Sequence, residues 1–142
     1  MKRNDLIFLL NRTSEKARRV IVSELETHGV KGIVPSHGDI LALLFSGEQF
    51  TMKVLAEKIH RTQPTVTVLV DKLVNLGYVT KEKSSDDSRI TFIRLTEKGL
   101  GLQPCFSEVS HRLNTVLYKG LSGAEVDCVF AILGKINRNL GK

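Results

Sequence analysis

The segment TQPTVTVLVDKLVNLG, residues 62–77, carries side chains whose donors and acceptors suit a nucleic acid. The amide of Gln63 can pair with adenine in a bidentate fashion, and Thr65 and Thr67 can contact a phosphate or a thymine methyl group. The alternative is that the threonines only cap a helix and cover its solvated face. The segment is therefore a candidate for contact with bases.

A second candidate lies in a polar turn further along the chain, where Asp87 and Arg89 stand two residues apart. The guanidinium could enter a narrow, electronegative minor groove, and the carboxylate could hold it in position through a charge-assisted pair. An ordinary exposed ion pair is the competing interpretation. Lys72 is a further candidate for DNA contact. Other basic residues are candidate phosphate contacts, with an ordinary solvated charge as the alternative for each: Lys53, Lys58, Arg61, Lys81 and Lys83.

Two short helices and a hairpin are predicted to position these side chains. Thr51 can cap the first helix, and Thr62 can cap a second one that carries Pro64 in its first turn and stops at Gly77. The stretches YVTKEK and RITFIRL alternate like strands around the turn SSDDS, which predicts a two-stranded β-wing. Together these are the pieces of a winged helix-turn-helix, in which the second helix enters the major groove.

Amphipathic helices are predicted on both sides of this unit. Apolar residues between Asp5 and Thr27 form one stripe, and Ser36 with Asp39 resembles a capping arrangement before a second, buried helix. Thr96 begins a long helix after the hairpin, and a last long helix follows Gly120. The fold class is therefore mainly α: a long helix, three shorter helices, a hairpin and two long helices.

Length, composition and charge limit the classes of protein to which the chain can belong. The 142 residues suit one domain, with 42% hydrophobic and 25% charged residues typical of a folded globular chain. Twenty-one Lys and Arg against fifteen Asp and Glu give a net charge of +6, which favours a polyanionic partner. The absence of an apolar run of about 20 residues, and of a signal peptide, predicts a cytoplasmic protein.

Signals for catalysis or metal binding are weak. The sequence has no P-loop, GxGxxG, GxSxG or HExxH motif, so we expect neither an enzyme nor a cofactor. Glu108 and His111 share a helix face, which leaves a metal site open as the less favoured alternative to a surface histidine. Cys105 and Cys128 are expected to be packed, inert helix residues.

From residue 50 to residue 99 the sequence resembles the MarR family, the multiple antibiotic resistance regulators. The most specific parts are the LAEKI helix, the PTVTVLVDKLVNLGYV segment, the Asp87-Ser88-Arg89 motif and the LTEKG that re-enters a helix. The order of the flanking helices also agrees. Many members carry arginine where this chain has Val68, so contact with thymine methyl groups would replace base reading by a guanidinium at that position.

The resemblance implies a cytoplasmic transcription factor, usually a repressor released by a small effector. It implies a homodimer built from residues 1–35 and 97–142, with residues 36–96 as the winged lobe, on a pseudo-palindromic operator. Apolar stripes on the terminal helices, larger than a small winged core can cover, support the dimer. A winged-helix module that binds protein rather than specific DNA is the alternative.

The resemblance also implies a crevice between the dimerisation helices and the winged lobe. Arg18 and His37 are the groups expected near it, which would favour a small aromatic or anionic effector. The competing interpretation is that Arg18 is a solvated charge and His37 a surface residue of the first helical turn.

Overall fold

The computed structural model describes residues 5–141, and over that range it contains seven α-helices and three short strands. In chain order these are α1 (Leu6–Thr27), α2 (Pro35–Leu44), β1 (Phe50–Thr51), α3 (Met52–Ile59), α4 (Gln63–Asn75), β2 (Val79–Lys83), β3 (Thr91–Leu95), α5 (Glu97–Leu100), α6 (Gln103–Leu117) and α7 (Gly123–Asn139). The predicted mainly helical fold class is confirmed. Residues 1–4 and 142, which the predicted domain includes, lie outside the described residues. No helix within residues 5–141 is long and apolar enough to span a membrane.

Helices α1 and α6 pack against each other and run antiparallel. Arg112 Nε lies 3.1 Å from Glu24 Oε2, and His28 Nε2 lies 3.2 Å from Glu108 Oε2. The residue numbers of the paired side chains therefore rise along one helix and fall along the other. Leu25 is buried where the two helices meet the winged lobe. Apolar packing therefore joins α1 and α6 to the winged lobe, and ion pairs join these two helices to each other.

The start of α2 differs from the prediction. The helix begins at Pro35, and the backbone N–H of Val34 donates to Nδ1 of His37 at 3.0 Å. The proline presets the first helical φ and lacks the N–H that would stay unpaired there, so the chain enters the helix one residue before Ser36. The cap predicted from Ser36 and Asp39 is wrong because the His37 ring supplies the acceptor.

Helices α3 and α4 form the helix-turn-helix. The Thr51 hydroxyl accepts from the backbone N–H of Val54 at 3.2 Å, as a cap should. His60 ends α3 in the left-handed conformation, with φ 56°. The inner face of α4 is fully buried against α2, α3 and the sheet through its residues Val66, Val70 and Leu73. This packing fixes the orientation of the outer face of α4.

The wing belongs to a three-stranded antiparallel sheet in the order β1-β3-β2, not to an isolated two-stranded hairpin. Phe50 pairs with Ile93, and Thr80 pairs with Arg94 across the hairpin. Strand β1 was missed because two residues are too short to show an alternating pattern. It ties the start of α3 to the wing.

The helix predicted from Thr96 onwards is divided in two. The Thr96 hydroxyl accepts from the backbone N–H of Gly99 at 3.0 Å and starts α5, which ends after four residues. Helix α6 then begins at Gln103, with Pro104 in its first turn. A proline is tolerated in a first turn but not inside a helix, so its position favours two helices over one.

Candidate nucleic-acid interface

A groove of about 510 Å³ lies between the start of α3, the start of α4 and the wing. It brings together four of the predicted contact residues, Lys53, Gln63, Lys81 and Arg89. Three are cations and one is an amide that can read a base edge. Because β1 draws the start of α3 to β3, residues that are 36 positions apart in the sequence, such as Lys53 and Arg89, line one surface.

The outer face of α4 carries a row of polar side chains spaced by four residues, Gln63, Thr67 and Asp71. The Thr67 hydroxyl donates to the carbonyl oxygen of Gln63 at 2.9 Å, which orients its methyl group. Val68 is 70% exposed. An isolated valine this exposed on a helix has no packing role in the monomer, so it is available for apolar contact with a ligand.

Thr62 and Thr65 lie at the tip of α4. Thr62 occupies the N-cap position, yet its side chain accepts no backbone hydrogen bond. Instead the Thr62 and Thr65 hydroxyls lie 3.0 Å apart and share a hydrogen bond. Both residues are exposed, which leaves the remaining hydrogen-bonding capacity of these hydroxyls open to solvent or to a phosphate.

Asp87 holds the wing arginine in a bidentate pair. Arg89 donates from Nε to Oδ1 and from Nη2 to Oδ2, both at 3.1 Å, and its backbone N–H donates to Oδ1 at 3.0 Å. The hydrogen bonds from the Arg89 side chain lower the pKa of the Asp87 carboxyl, with a further contribution from the backbone hydrogen bond. The arginine side chain nevertheless stays 89% exposed, so its direction is set while its surface stays open to a ligand.

The loop that carries this pair is closed by its first serine. Ser84 Oγ accepts from the backbone N–H of Asp86 at 3.2 Å, and the Ser84 N–H donates to the carbonyl oxygen of Ile90 at 2.8 Å. These bonds close the polar turn predicted from SSDDS. They place Arg89 at the end of the hairpin, on the groove side.

Two further ion pairs in this region were not predicted. Lys81 Nζ contacts Asp71 Oδ1, which joins β2 to the outer face of α4. Arg94 Nη1 donates to Glu82 Oε2 at 3.0 Å across the hairpin. Glu82 and Arg94 are diagonal neighbours on one face of the hairpin, which follows from the strand register. The contact between Asp71 and Lys81 depends instead on the angle between helix and sheet.

The remaining predicted contacts lie outside the groove. The end of the Lys72 side chain lies beside Gly32. Arg61 lies near Asp39, since its charge lowers the pKa of that carboxyl against the larger, opposite effect of burial. Lys58 Nζ lies 5.9 Å from the centre of the Phe50 ring, and Lys83 is exposed at the end of β2.

A separate cavity of about 190 Å³ lies where α1, α2 and α6 meet. Neither Arg18 nor His37 is among its lining residues. Arg18 is paired with Glu15 at 3.8 Å on the surface of α1. His37 is only 6% exposed and so is not a surface residue; burial, with a smaller effect of Lys72, lowers its pKa. The lining is mainly apolar, with Asp39 and Ser110 as its hydrogen-bonding side chains: Ile21, Leu25, Val34, Pro35, Gly38, Asp39, Ala42, Phe106, Val109, Ser110 and Leu113.

The residues considered for metal or redox chemistry are dispersed. Glu108 pairs with His28 rather than with His111. Within residues 5–141, no three His, Cys, Asp or Glu side chains are grouped as a metal site requires. Cys105 is half-buried, and burial raises the pKa of its thiol, with a smaller effect of Glu108. Cys128 is exposed on α7, so the prediction that both cysteines are packed is wrong for Cys128 within one protomer.

Comparison with known proteins agrees with this architecture. The MarR family model matches residues 28–90, which run from the end of α1 to the end of the wing turn. The chain is 28% identical over 126 residues to the HTH-type transcriptional regulator MhqR of Bacillus subtilis (strain 168), a match that covers 87% of this chain and 86% of that protein.

Solved structures are similar over nearly the whole chain. The S. aureus MepR–DNA complex matches with a TM-score of 0.84 and 25% identity, over 93% of this chain and 96% of that one. A mutant E. coli MarR complexed with operator DNA has the same fold, with a TM-score of 0.80 and 22% identity over 96% and 99% of the two chains. The match of residues 28–90 to the family model and the shared fold support a MarR-family winged-helix regulator.

Proposed function

We propose that this protein binds double-stranded DNA sequence-specifically as a homodimer and represses transcription from the site it occupies. The observation that carries the proposal is the groove that Gln63 of α4 and Arg89 of the wing line together. The related S. aureus MepR was solved in complex with DNA.

Helix α4 and the wing contact different parts of the duplex. Helix α4 enters the major groove with Gln63 on an adenine and Val68 on a thymine methyl group. Arg89, held by Asp87, enters the adjacent minor groove, where a narrow A·T-rich segment attracts a guanidinium. Lys53 and the threonine pair at the tip of α4 bind phosphates and set the register.

A second copy of the chain covers the terminal helices. Not one residue of α7 is buried in the protomer, although this helix carries a full apolar stripe. Phe130 is 64% exposed, Val129 47% and Leu133 39%. Apolar surface of this extent is typical of an obligate interface. A two-fold dimer then presents two copies of α4 to half-sites about one helical turn, ~10 base pairs, apart on a pseudo-palindrome.

A small effector that enters the cavity between α1, α2 and α6 would change the distance between the two copies of α4. The cavity lies between the winged lobe and the helices α1 and α6, so the ligand would fix the position of the lobe relative to these helices. A ligand that fits only one dimer shape then shifts the DNA-binding equilibrium. Its mainly apolar lining favours an apolar molecule with a hydrogen-bond donor for Asp39.

The test is binding to the DNA upstream of the protein's own coding region, measured by footprinting and by fluorescence anisotropy from about 50 to 200 mM salt. We expect a protected pseudo-palindrome and a log affinity that falls linearly with log salt. Arg94→Ala is the matched control for Arg89→Ala: both are exposed, paired arginines of the wing region, but Arg94 faces away from the groove. Failure to retain any duplex at low salt would leave the protein-interaction module as the function.

A further inference from the structure

The outer face of α4 carries one carboxylate in the row that would face the major groove. Asp71 follows Gln63 and Thr67 at intervals of four residues, and its side chain is 52% exposed. It is the only acidic residue of α4. A negative charge at this place is unexpected, since Asp71 contacts a lysine of the positively charged groove that would bind phosphates.

The partner of Asp71 is itself a groove residue. Lys81 reaches from β2 so that Nζ contacts Asp71 Oδ1, and Lys81 also lines the groove with Arg89. Arg89 is paired in turn with Asp87. Two of the three cations that line the groove therefore carry a carboxylate partner, and Lys53 has no such partner among the described residues.

Stability alone does not account for the Asp71–Lys81 pair. Its two side chains are 52% and 36% exposed, and ion pairs this exposed contribute roughly 0–1 kcal/mol to folding. Non-specific affinity rises with the number of phosphates that free cations neutralise, so a lysine held by a carboxylate contributes less to it.

On this basis, and resting on the proposed function, we propose that Asp71 is a specificity-determining residue of the DNA interface. Its carboxylate, positioned by Lys81, withholds one cation from arbitrary DNA and accepts a hydrogen bond from the exocyclic amino group of a cytosine at one position of each half-site. Carboxylates are the side chains that read this amino group in the major groove. Where another base stands there, the carboxylate oxygen that Lys81 does not contact is desolvated without a donor, and the charge repels the phosphates.

The experiment compares wild type with Asp71→Asn and Asp71→Ala on two duplexes of equal length, the footprinted operator and a scrambled sequence, across a salt series. Selection from a duplex randomised within one half-site reports the base preference. Glu26→Gln is the matched control, because it removes a carboxylate from an exposed position of α1, outside both the α4 row and the wing. Thermal melting checks that each variant is folded.

We expect both Asp71 variants to bind the scrambled duplex more tightly than wild type, with the log–log salt slope steeper by about one per protomer. The operator-to-scrambled affinity ratio falls roughly tenfold, and the cytosine preference disappears at one position. Adding Lys81→Gln to Asp71→Asn removes the gain on scrambled DNA, because no ammonium is then released.

Folded Asp71 variants that keep the wild-type ratio, salt slope and base preference, as the Glu26→Gln control should, would overturn the inference and leave the proposed function intact. A loss of melting temperature with an unchanged affinity ratio would assign the pair a purely structural role. Wild-type protein that binds neither duplex would overturn the proposed function as well.

Discussion

Asp87 accepts three hydrogen bonds from Arg89, two from the guanidinium and one from the backbone N–H, at 3.0 to 3.1 Å. The carboxylate thus fixes both the backbone and the side chain of the wing arginine. We expect Asp87→Ala to weaken operator binding even though it removes a negative charge, because the guanidinium loses its orientation. Arg89→Ala should weaken binding broadly, and most at operators with an A·T-rich flank.

Anisotropy titrations with the operator and with a G·C-flanked variant would measure both effects. Asp86→Ala is the control for Asp87→Ala, since it makes the same charge change one residue away without contacting the arginine. Tighter binding by Asp87→Ala than by wild type would mean that Asp87 only reduces the attraction between Arg89 and the phosphates and does not orient the guanidinium.

Gln63 is expected to read one base. Its position at the start of α4 and in the groove allows both amide atoms to reach an adenine edge. Gln63→Ala should therefore cost about 1–3 kcal/mol of discrimination at a single position of each half-site and little at the others. Affinities for a panel of operators, each changed at one base pair, would measure this profile. An equal loss on every operator would instead indicate a phosphate contact.

Gly99 is required by a close approach of two segments. A Cβ built at this position lies 2.1 Å from the carbonyl oxygen of Tyr78 and 3.1 Å from Leu95 Cγ. Because the first of these atoms belongs to the backbone, α5 must move away from the sheet. Gly99→Ala should lower the free energy of unfolding by about 1–3 kcal/mol, as overpacking of a core does.

Urea denaturation would measure the loss. Gly123→Ala is the control, because a Cβ there meets no atom within 4 Å. Equal stability of the two variants would show that the α5 segment shifts without cost.

The exposed stripe of α7 is expected to hold the dimer together. Phe130→Glu places a charge within this stripe and should give a monomer at micromolar concentration with much weaker operator binding, since two half-sites are no longer linked. Ala131→Glu puts the same charge on the opposite side of α7 and should leave the dimer intact. Sedimentation velocity would decide between these outcomes, and a dimeric Phe130→Glu protein would place the interface elsewhere.

The junction of α1 with α6 is expected to weaken as the pH rises. His28 Nδ1 lies 2.8 Å from the Glu24 carbonyl oxygen and Nε2 lies 3.2 Å from Glu108 Oε2, so only the imidazolium satisfies both acceptors. These bonds, with the Glu24 carbonyl as the larger cause, raise the pKa of His28 in the folded state. The stabilisation is fully present below the unfolded-state pKa and is lost as the pH rises through the folded-state pKa.

Glu108→Gln should therefore lower the melting temperature at about pH 5.5 and have little effect at about pH 8.5. Glu26→Gln, the same charge change at an exposed position of α1, is the control. A difference between wild type and Glu108→Gln that persists unchanged at the higher pH would exclude the titration of His28 as its cause.

Local signals in the sequence determined most of the helical architecture. The start of α3 at Thr51, the end of α4 near Gly77 and the limits of α1 follow from caps, glycines and apolar periodicity, all of which act within a few residues. Gln63 and Arg89 could be predicted as DNA contacts from the sequence, because local signals place Gln63 at a helix start and Arg89 at a hairpin end.

The tertiary structure decided what these elements bring together. The groove exists because β1 pairs with β3, and two residues of strand give no detectable pattern. The contact between Asp71 and Lys81 spans 10 residues, and that between His28 and Glu108 spans 80. Such contacts, like the burial of His37, depend on the angles at which helices pack, and those angles are set by the whole core rather than by neighbours in the sequence.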